Sequence, residues 1–333
     1  MRVCYHIQTY RSPDLVTRLA RRIRRSSPEA IIHVSHDVRG TPLQRAELHA
    51  VPDLHLTVDR GGRGDFNTVD RWLACVRWLG DQRIDCDWLV NLTGQDYPVR
   101  PLADVERDLA AGDVDAHLEH FPVLTARSHW PVREGRTRYQ YRYRHLADLS
   151  ERSRRLLRPL TAINRAQPWL RVNVSYGLSA GRRTRRPLPE GWSWYGGSFY
   201  GAVSRGSAEH VVAWCDAHDE VVDHLRHTLV PEEVVLQTVL LNAGRWRVRD
   251  DSRFGRSLIT RARFEFQPTR AFFLRAIAEW NPISSLVQAV RELWGNTGPA
   301  PADAHLPMQH PVLFTVLWTL AIDSEDADVY RAI

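Results

Sequence analysis

The 333-residue chain has no lysine. Its 45 basic residues are therefore all arginines, and they outnumber the 39 acidic residues to give a formal net charge of +6. Codon usage in a GC-rich genome accounts for this composition without reference to function. The absence still has a chemical consequence, because every cationic role in the molecule falls to arginine or histidine.

Cysteine is also scarce. The chain has four, Cys4, Cys75, Cys86 and Cys215, far apart in sequence and in apolar contexts. This spacing excludes a zinc-finger motif, and no other nucleic-acid signature accompanies the arginines, so we expect no nucleic-acid partner. Reduced thiols in the core are the expected state, which fits a cytoplasmic protein.

Long apolar runs are missing as well. Residues 312–322, the most apolar segment near the C-terminus, are too few to span a bilayer, and the first residues show no signal-peptide core. We therefore expect a cytoplasmic protein without a transmembrane segment, and the basic charge leaves peripheral membrane contact open. A composition of 43% hydrophobic and 25% charged residues is typical of a globular chain with one large domain or two.

Short apolar segments alternate with amphipathic ones in the first part of the chain. Strands are predicted over residues 3–8, 30–34, 54–58, 88–92 and 116–121, and helices over 13–25, 69–79 and 101–111. The alternation predicts a mostly parallel sheet with helices on both faces, whose ligands bind at the carboxyl ends of the strands. Asp37 and Asp96 follow two of these strands and are candidates for that edge.

The alternation of strands and helices is no longer recognisable between residues 133 and 186, where arginine is frequent. Two interpretations stay open: solvated helix faces and loops, or an insertion that lines a cleft for an anionic or sugar-bearing ligand. Tyr139, Tyr141 and Tyr143 alternate with arginine, which suits stacking on a sugar or base.

After the arginine-rich segment, a strand over 199–203 and helices over 207–218 and 231–242 are predicted. Residues 295–303 are predicted to form a Pro/Gly-rich linker to a helical tail.

Three further segments have distinctive sequences, DWLVNLTGQDYPVRPL (87–102), GGSFYGAVSR (196–205) and VPEEVVLQTVLLN (230–242). Together they resemble the core-2/I-branching glycosyltransferases, glycosyltransferase family 14, which includes the peptide xylosyltransferases. Each is close to a family motif and the order is the same. The opening strand, helix and HVSHD strand end are similar too, so the resemblance covers roughly residues 1–242.

The resemblance implies a GT-A fold, a Rossmann-like α/β domain, over residues 1–294. Residues 1–125 would form the nucleotide-sugar half and 126–294 the acceptor half, with the linker and helical appendage over 295–333. It implies an inverting transfer of a GlcNAc-like or xylose-like sugar from a nucleotide donor, usually UDP-linked, to an acceptor hydroxyl on a glycan, natural product, lipid-linked glycan or peptide. A homodimer stays open, because the tail could pack on a second copy.

An inverting transfer needs a base for the acceptor proton. Family members carry it either as an Asp after the G-G-S, a position that Phe199 occupies here, or as a Glu upstream, where Glu190 stands. The resemblance thus points to Glu190, with Asp96, Glu119 and Glu233 as rivals. It assigns Gln95, Asp96, Gly197, Ser198 and Glu233 to the donor sugar or the acceptor, although Glu233 in a helix's first turn would also be favoured without any ligand.

The nucleotide contacts follow from the same resemblance. Asp37, with His36 or His33, stands for the family's uridine-binding H-x-D. The basic pair for the diphosphate is replaced by arginines, for which the candidates are Arg253, Arg256, Arg270 and Arg275. Arginine offers phosphate a planar, bidentate fork.

The carboxylate pair Asp85 and Asp87 precedes the strand over 88–92, whereas a GT-A metal motif follows its strand. The loop after this strand offers one carboxylate, Asp96, and a single carboxylate is a weak ligand set for a divalent ion. We expect no metal and no other cofactor, with arginine supplying the positive charge. The alternatives are a non-catalytic sugar-nucleotide- or nucleic-acid-binding protein that uses the arginine-rich segment, and a glycosidase with paired carboxylates.

Overall fold

The structure is a computed structural model that describes residues 1–62, 64–98, 100–125, 128, 130, 132–184 and 188–250, together with the backbone of three later strands. It divides into two compact units, residues 1–96 with 106–254 and residues 97–105 with 255–333. The domain boundary expected at residue 294 stays a prediction.

Short strands dominate the described chain. They are β1 (Val3–Thr9), β2 (Ile31–Asp37), β3 (Leu54–Asp59), β4 (Trp88–Thr93), β5 (Ala116–His117), β6 (Phe121–Pro122), β7 (Tyr141–Ala147), β8 (Leu170–Asn173), β9 (Leu178–Arg183), β10 (Tyr195–Gly196), β11 (Ala202–Ser204), β12 (Val248–Arg249), β13 (Ala262–Thr269), β14 (Phe272–Trp280) and β15 (Val312–Leu320).

The helices connect these strands. They are α1 (Pro13–Ser26), α2 (Arg45–His49), α3 (Asn67–Asp81), α4 (Leu102–Ala111), α5 (Val132–Tyr139), α6 (Glu151–Leu157), α7 (Ile163–Ala166), α8 (Arg205–Ala217), α9 (Asp219–Leu225) and α10 (Val235–Asn242), with 3-10 turns at Arg158–Ala162 and Pro231–Glu233.

A seven-stranded sheet of order β12-β5-β11-β4-β1-β2-β3 forms the centre of the first unit. β1 is parallel to β2 and β4, and β2 is parallel to β3. β11 runs antiparallel to both its neighbours, β4 and β5. The predicted mixed α/β architecture with a mostly parallel sheet is therefore confirmed, and the carboxyl ends of β1, β2 and β4 meet at one edge.

The predicted periodicities account for the main helices. α3 buries Val69, Trp72, Leu73, Val76 and Leu79, which recur at helical spacing. α1 likewise buries Leu19 and Ile23, whereas Leu15 is exposed. The four cysteines are free and buried, as expected.

Other predicted elements are shorter or divided. The strand expected over 116–121 is two strands in different sheets, β5 and β6. The strand over 199–203 is reduced to β11, and the helix over 231–242 is broken at Val234 into a 3-10 turn and α10. Such breaks arise where backbone groups bond to distant segments, and the local periodicity of the sequence does not reveal those bonds.

The arginine-rich segment folds around an antiparallel sheet of order β7-β9-β8. Tyr139, Tyr141 and Tyr143 are buried, and their hydroxyls donate to the backbone carbonyls of Val230, Pro168 and Thr137, respectively. The interpretation of Tyr139, Tyr141 and Tyr143 as stacking surfaces for a sugar or base is therefore wrong.

The second unit contains a separate antiparallel sheet of order β13-β14-β15. β15 lies in the tail for which a helical appendage was predicted, so that prediction is wrong over Val312–Leu320. The segment is rich in β-branched and aromatic residues, which favour a strand when partner strands are present.

Candidate functional site

Asp37 ends β2 at the carboxyl edge of the sheet, and its carboxylate is almost fully buried. The Arg39 amide donates to Oδ1 at 3.0 Å, and the Arg39 guanidinium contacts both carboxylate oxygens at 3.3 and 3.2 Å. Burial by itself raises the pKa of Asp37, but these bonds and the Gly61 amide outweigh it, so the pKa lies below its usual range. The neighbouring His36 is buried as well, and burial lowers its pKa.

Arg71 lies at the same edge, although the sequence did not suggest it. It is 7% exposed, and its Nε lies 2.7 Å from Ser35 Oγ and 3.0 Å from Asp59 Oδ1. Its Nη2 donates to the carbonyl oxygen of Thr9 at 3.3 Å. The guanidinium thus joins the ends of β1 and β3 to β2. Its position four residues before Cys75 on α3, on an inward side of the helix, is the signal that could have found it.

The turn after β4 is closed by Asp96. The Asp96 carboxylate accepts the Thr93 amide at 2.6 Å, the Asp96 amide donates to the Thr93 carbonyl at 3.1 Å, and the Gln95 amide donates to Thr93 Oγ1 at 3.2 Å. These bonds shape a β-turn, reinforced by an ST-turn at Thr93, at the end of a buried strand. The predicted Gln95 and Asp96 therefore lie at the carboxyl edge, beside the end of β1.

The G-G-S loop runs beside this turn because β11, which follows it, pairs with β4. The Gly197 amide donates to the Glu233 carbonyl at 2.9 Å, and the Ser198 amide donates to Glu119 Oε2 at 3.1 Å. Gln237, fully buried on α10, donates to the Ser198 carbonyl at 2.7 Å. A Cβ at Gly197 would collide with the Glu119 carbonyl, so this close approach requires glycine.

The P-E-E turn is held from both sides. Val230 has a left-handed backbone (φ 54°), its amide donates to the Gly64 carbonyl at 3.0 Å, and its carbonyl accepts the Tyr139 hydroxyl at 3.1 Å. Glu233 Oε2 lies 2.5 Å from Arg138 Nη1, and the Arg138 guanidinium stacks 4.5 Å from the centre of the Trp130 ring. Glu233 is therefore held by an arginine rather than only by a helix end.

Glu232 is the least satisfied charge of the site. Its Oε2 is shielded from solvent and has no hydrogen-bond partner among the described residues. Burial raises the pKa of Glu232 from 4.5 to about 8, and the nearby carboxylates of Glu233 and Asp65 add to the rise. A carboxylate with such a pKa can take up a proton near neutral pH.

Tyr200 follows the G-G-S loop and is 40% exposed. Desolvation of its phenol group raises its pKa, and the negative charges of Asp96 and Glu232 raise it further. Its amide donates to Ser198 Oγ at 3.2 Å. The pKa of Tyr200 therefore responds to carboxylates from the turn after β4 and from the P-E-E turn.

The remaining predicted site residues are placed elsewhere or lie outside the description. Glu190 is exposed in the turn that precedes β10. Arg253, Arg256 and Arg270 lie outside the described residues. Arg275 lies on β14 opposite Glu265 of β13, and only its backbone is described.

One group of His, Cys, Asp or Glu within the described ranges is compact enough to hold a metal ion, and it comprises His6, His33 and Cys75. All three are buried, His6 on β1, His33 on β2 and Cys75 on α3. His6 Nδ1 and His33 Nδ1 lie 2.9 Å apart, at hydrogen-bond distance, and burial lowers the pKa of both imidazoles. The group does not include the site carboxylates. The Asp85 and Asp87 carboxylates are exposed, as expected of a solvated turn, and metal independence stays a prediction.

No helix in the described ranges is long and apolar enough to cross a bilayer. No model of a known protein family matches the chain, and no curated protein matches it. Among solved structures, the chain is similar to a crystal structure of S. aureus TarS residues 1–349 in complex with UDP-GlcNAc, at 15% identity and a TM-score of 0.28. The match covers 46% of this chain and 42% of TarS, so the chain spans less than half the length of that structure.

Proposed function

We propose that the chain is an inverting glycosyltransferase of the GT-A type, which moves a GlcNAc-like or xylose-like sugar from a nucleotide donor, UDP-linked, to an acceptor hydroxyl. One observation carries the proposal. The three segments that resemble the family motifs are separated by about a hundred residues or fewer along the chain, yet they are joined in the fold: β11 pairs with β4, and the Gly197 amide donates to the Glu233 carbonyl at 2.9 Å. Ligands of open α/β sheets bind at the carboxyl edge of the sheet.

The chemistry asked of the site is a direct displacement. The acceptor oxygen attacks the anomeric carbon, the bond from that carbon to the diphosphate oxygen breaks, and the nucleoside diphosphate leaves with the electron pair. The acceptor proton passes to a carboxylate. Hydrogen bonds and cationic side chains stabilise the charge that develops on the leaving group.

Two carboxylates compete for the role of base. Glu190 is the residue to which the family resemblance points, and it is exposed to solvent. Glu232 has an oxygen that is shielded from solvent and has no hydrogen-bond partner within the described ranges, and its pKa of about 8 arises chiefly from burial. Because a base works best when its pKa is near the operating pH, we place the base at Glu232 and keep Glu190 as the rival.

The nucleotide would lie over the end of β2. Asp37 would accept hydrogen bonds from the uridine, beside His36. Arg39, half exposed next to Asp37, adds a described cation to the arginines predicted from the sequence. In this proposal the diphosphate is bound without a metal ion, so transfer should survive EDTA; complete loss restored by Mn²⁺ would contradict this part.

The first test is thermal unfolding of the full chain with UDP, TDP and GDP. A nucleotide-sugar enzyme should be stabilised by the diphosphate of its own donor, because a ligand that binds only the folded state raises the melting temperature. Asp37→Asn should remove the effect of UDP. Polynucleotide binding without any nucleotide effect would instead favour the arginine-rich binding protein.

The second test identifies the base. Donor and acceptor pairs are screened by mass spectrometry, and the active pair is then assayed with Glu232→Gln and Glu190→Gln, which remove one carboxylate each without a change of size. We expect Glu232→Gln to lower kcat by about a hundredfold or more with UDP binding intact, and Glu190→Gln to have little effect. The reverse pattern would assign the base to Glu190.

A further inference from the structure

The arginine-rich insertion carries a helical segment that buries none of its own side chains. We call residues 150–170 the arm; it contains α6, the 3-10 turn Arg158–Ala162 and α7. None of the residues in these three elements is buried. By contrast, α1 and α3 of the same unit each bury at least five side chains.

Large apolar side chains are concentrated on this arm. The exposed ones are Leu156, Leu160, Ile163, Trp169 and Leu170, and Leu156 and Trp169 are 78% and 64% exposed. Leu156 lies on α6, Leu160 in the 3-10 turn and Ile163 on α7, so the three belong to one short run of helical turns. Single apolar residues are normal on a protein surface, but several large ones exposed within one short segment indicate an interaction site.

Basic residues lie on the same arm as these exposed apolar side chains. The arm has five arginines, at 152, 154, 155, 158 and 165, against one acidic residue, Glu151. Glu151 pairs with Arg154 and Arg155 at 3.2 and 3.3 Å, on largely exposed side chains. The arm therefore keeps a clear positive excess beside its exposed apolar side chains.

The arm is held to the body rather than loose. Ser150 caps α6 by accepting the Ser153 amide at 3.1 Å. Asn164 on α7 exchanges two hydrogen bonds of 2.8 Å with the backbone of Val172 on β8. The Tyr141 hydroxyl donates to the Pro168 carbonyl at 2.5 Å. The apolar residues are thus presented in a fixed arrangement, which lowers the entropic cost of binding.

We propose that the arm is a docking surface for an anionic phospholipid bilayer, on which it lies parallel to the surface. Its leucines, Ile163 and Trp169 would enter the interfacial layer while its arginines contact lipid phosphates. A basic helix with an exposed Leu/Trp side has the chemistry that binds in this way, and each arginine near an anionic surface adds to the attraction. The charge excess favours this partner over a second copy of the chain, because two arms of the same sign would repel. The inference does not depend on the proposed transferase activity.

The test is co-sedimentation of the full chain with vesicles of phosphatidylcholine alone and of equal parts phosphatidylcholine and phosphatidylglycerol. We expect binding only to the anionic vesicles, and weaker binding when salt is raised from about 0.1 M to about 0.5 M. The double variant Leu156→Ser, Leu160→Ser should lower the affinity at least about tenfold, because each leucine contributes apolar area to the interface. All these side chains are exposed, so folding is checked by circular dichroism and should be unchanged.

Matched controls come from outside the arm. Val38→Ser removes an apolar side chain that is also exposed, and Arg25→Gln removes an exposed arginine on α1. Both should bind vesicles like the natural sequence. The proposal is overturned by no binding to anionic vesicles, by binding that the double variant retains, by equal loss in the Val38 control, or by a dimer that the double variant dissolves. UDP stabilisation in the double variant reports separately on the proposed function.

Discussion

Replacing Glu232 by glutamine should stabilise the protein, and the gain should depend on pH. The unfolded carboxyl group has its ordinary pKa of 4.5, whereas burial raises it to about 8 in the folded state. Between these values the folded protein binds more protons at Glu232 than the unfolded chain, so the natural sequence loses stability as pH rises from 4.5 to 8. Glutamine does not ionise and carries no such loss.

The magnitude follows from the two pKa values. At about 1.4 kcal/mol per pKa unit, a rise from 4.5 to about 8 is worth roughly 5 kcal/mol above pH 8. Glu232 is only partly exposed, but water and the protein relax around the charged form, so we take about 2–4 kcal/mol as the expected gain. Below pH 4.5 the two proteins should have nearly the same stability.

Urea unfolding followed by circular dichroism, at pH 5 and pH 8.5, measures this difference directly. The histidines and other carboxylates titrate in both proteins and cancel in the comparison. Glu190→Gln is the matched control, because that side chain is exposed and its removal should change stability little at either pH. A gain of equal size at both pH values, or a loss of stability at pH 8.5, would refute the reasoning about Glu232.

Three further predictions concern the core and the G-G-S loop. Burial lowers the pKa of His33 from 6.5 to about 4. The natural sequence should therefore lose about 3 kcal/mol of unfolding free energy as pH falls through that range, because the unfolded chain binds the proton first. His33→Asn should remove this loss when stability is measured by urea unfolding. Gly197→Ala should lower the free energy of unfolding by about 1–3 kcal/mol, because the new methyl group would collide with the Glu119 backbone. Gly80→Ala is the control: Gly80 lies on α3, where a methyl group meets only ordinary contacts, so this change should be neutral or stabilising. All four thiols should resist Ellman's reagent in the folded protein and react in urea, because each is buried and unpaired; rapid reaction of any thiol in buffer would contradict its burial.

The fold class and most of the central elements were predictable from the sequence. β1, β2, β3, β4, α1 and α3 lie within a few residues of their predicted positions, since apolar periodicity reflects the face that each element buries. The motif at residues 87–102 was also informative, because a buried strand followed by a polar turn delivers that turn to the sheet edge whatever the rest of the chain does. Burial of the four cysteines followed from their apolar neighbours.

The local sequence does not show which polar groups the fold shields from solvent. Glu232 and Glu233 are adjacent, yet Glu233 meets Arg138 from α5, nearly a hundred residues away, whereas one oxygen of Glu232 has no hydrogen-bond partner in the part of the chain that the structure describes. Arg71, which the sequence did not suggest, joins three strand ends. Tyr139 seemed suited to a ligand and instead holds the P-E-E turn.

The sequence alone therefore determined the alternating framework and the segments that carry polar loops, because those depend on residues a few positions apart. Only the tertiary structure decided which carboxylate is desolvated, which arginine is paired, and that the arm exposes its leucines. Desolvation and pairing depend on side chains brought together from distant segments, and their free energies are set by the whole packed arrangement rather than by any short pattern.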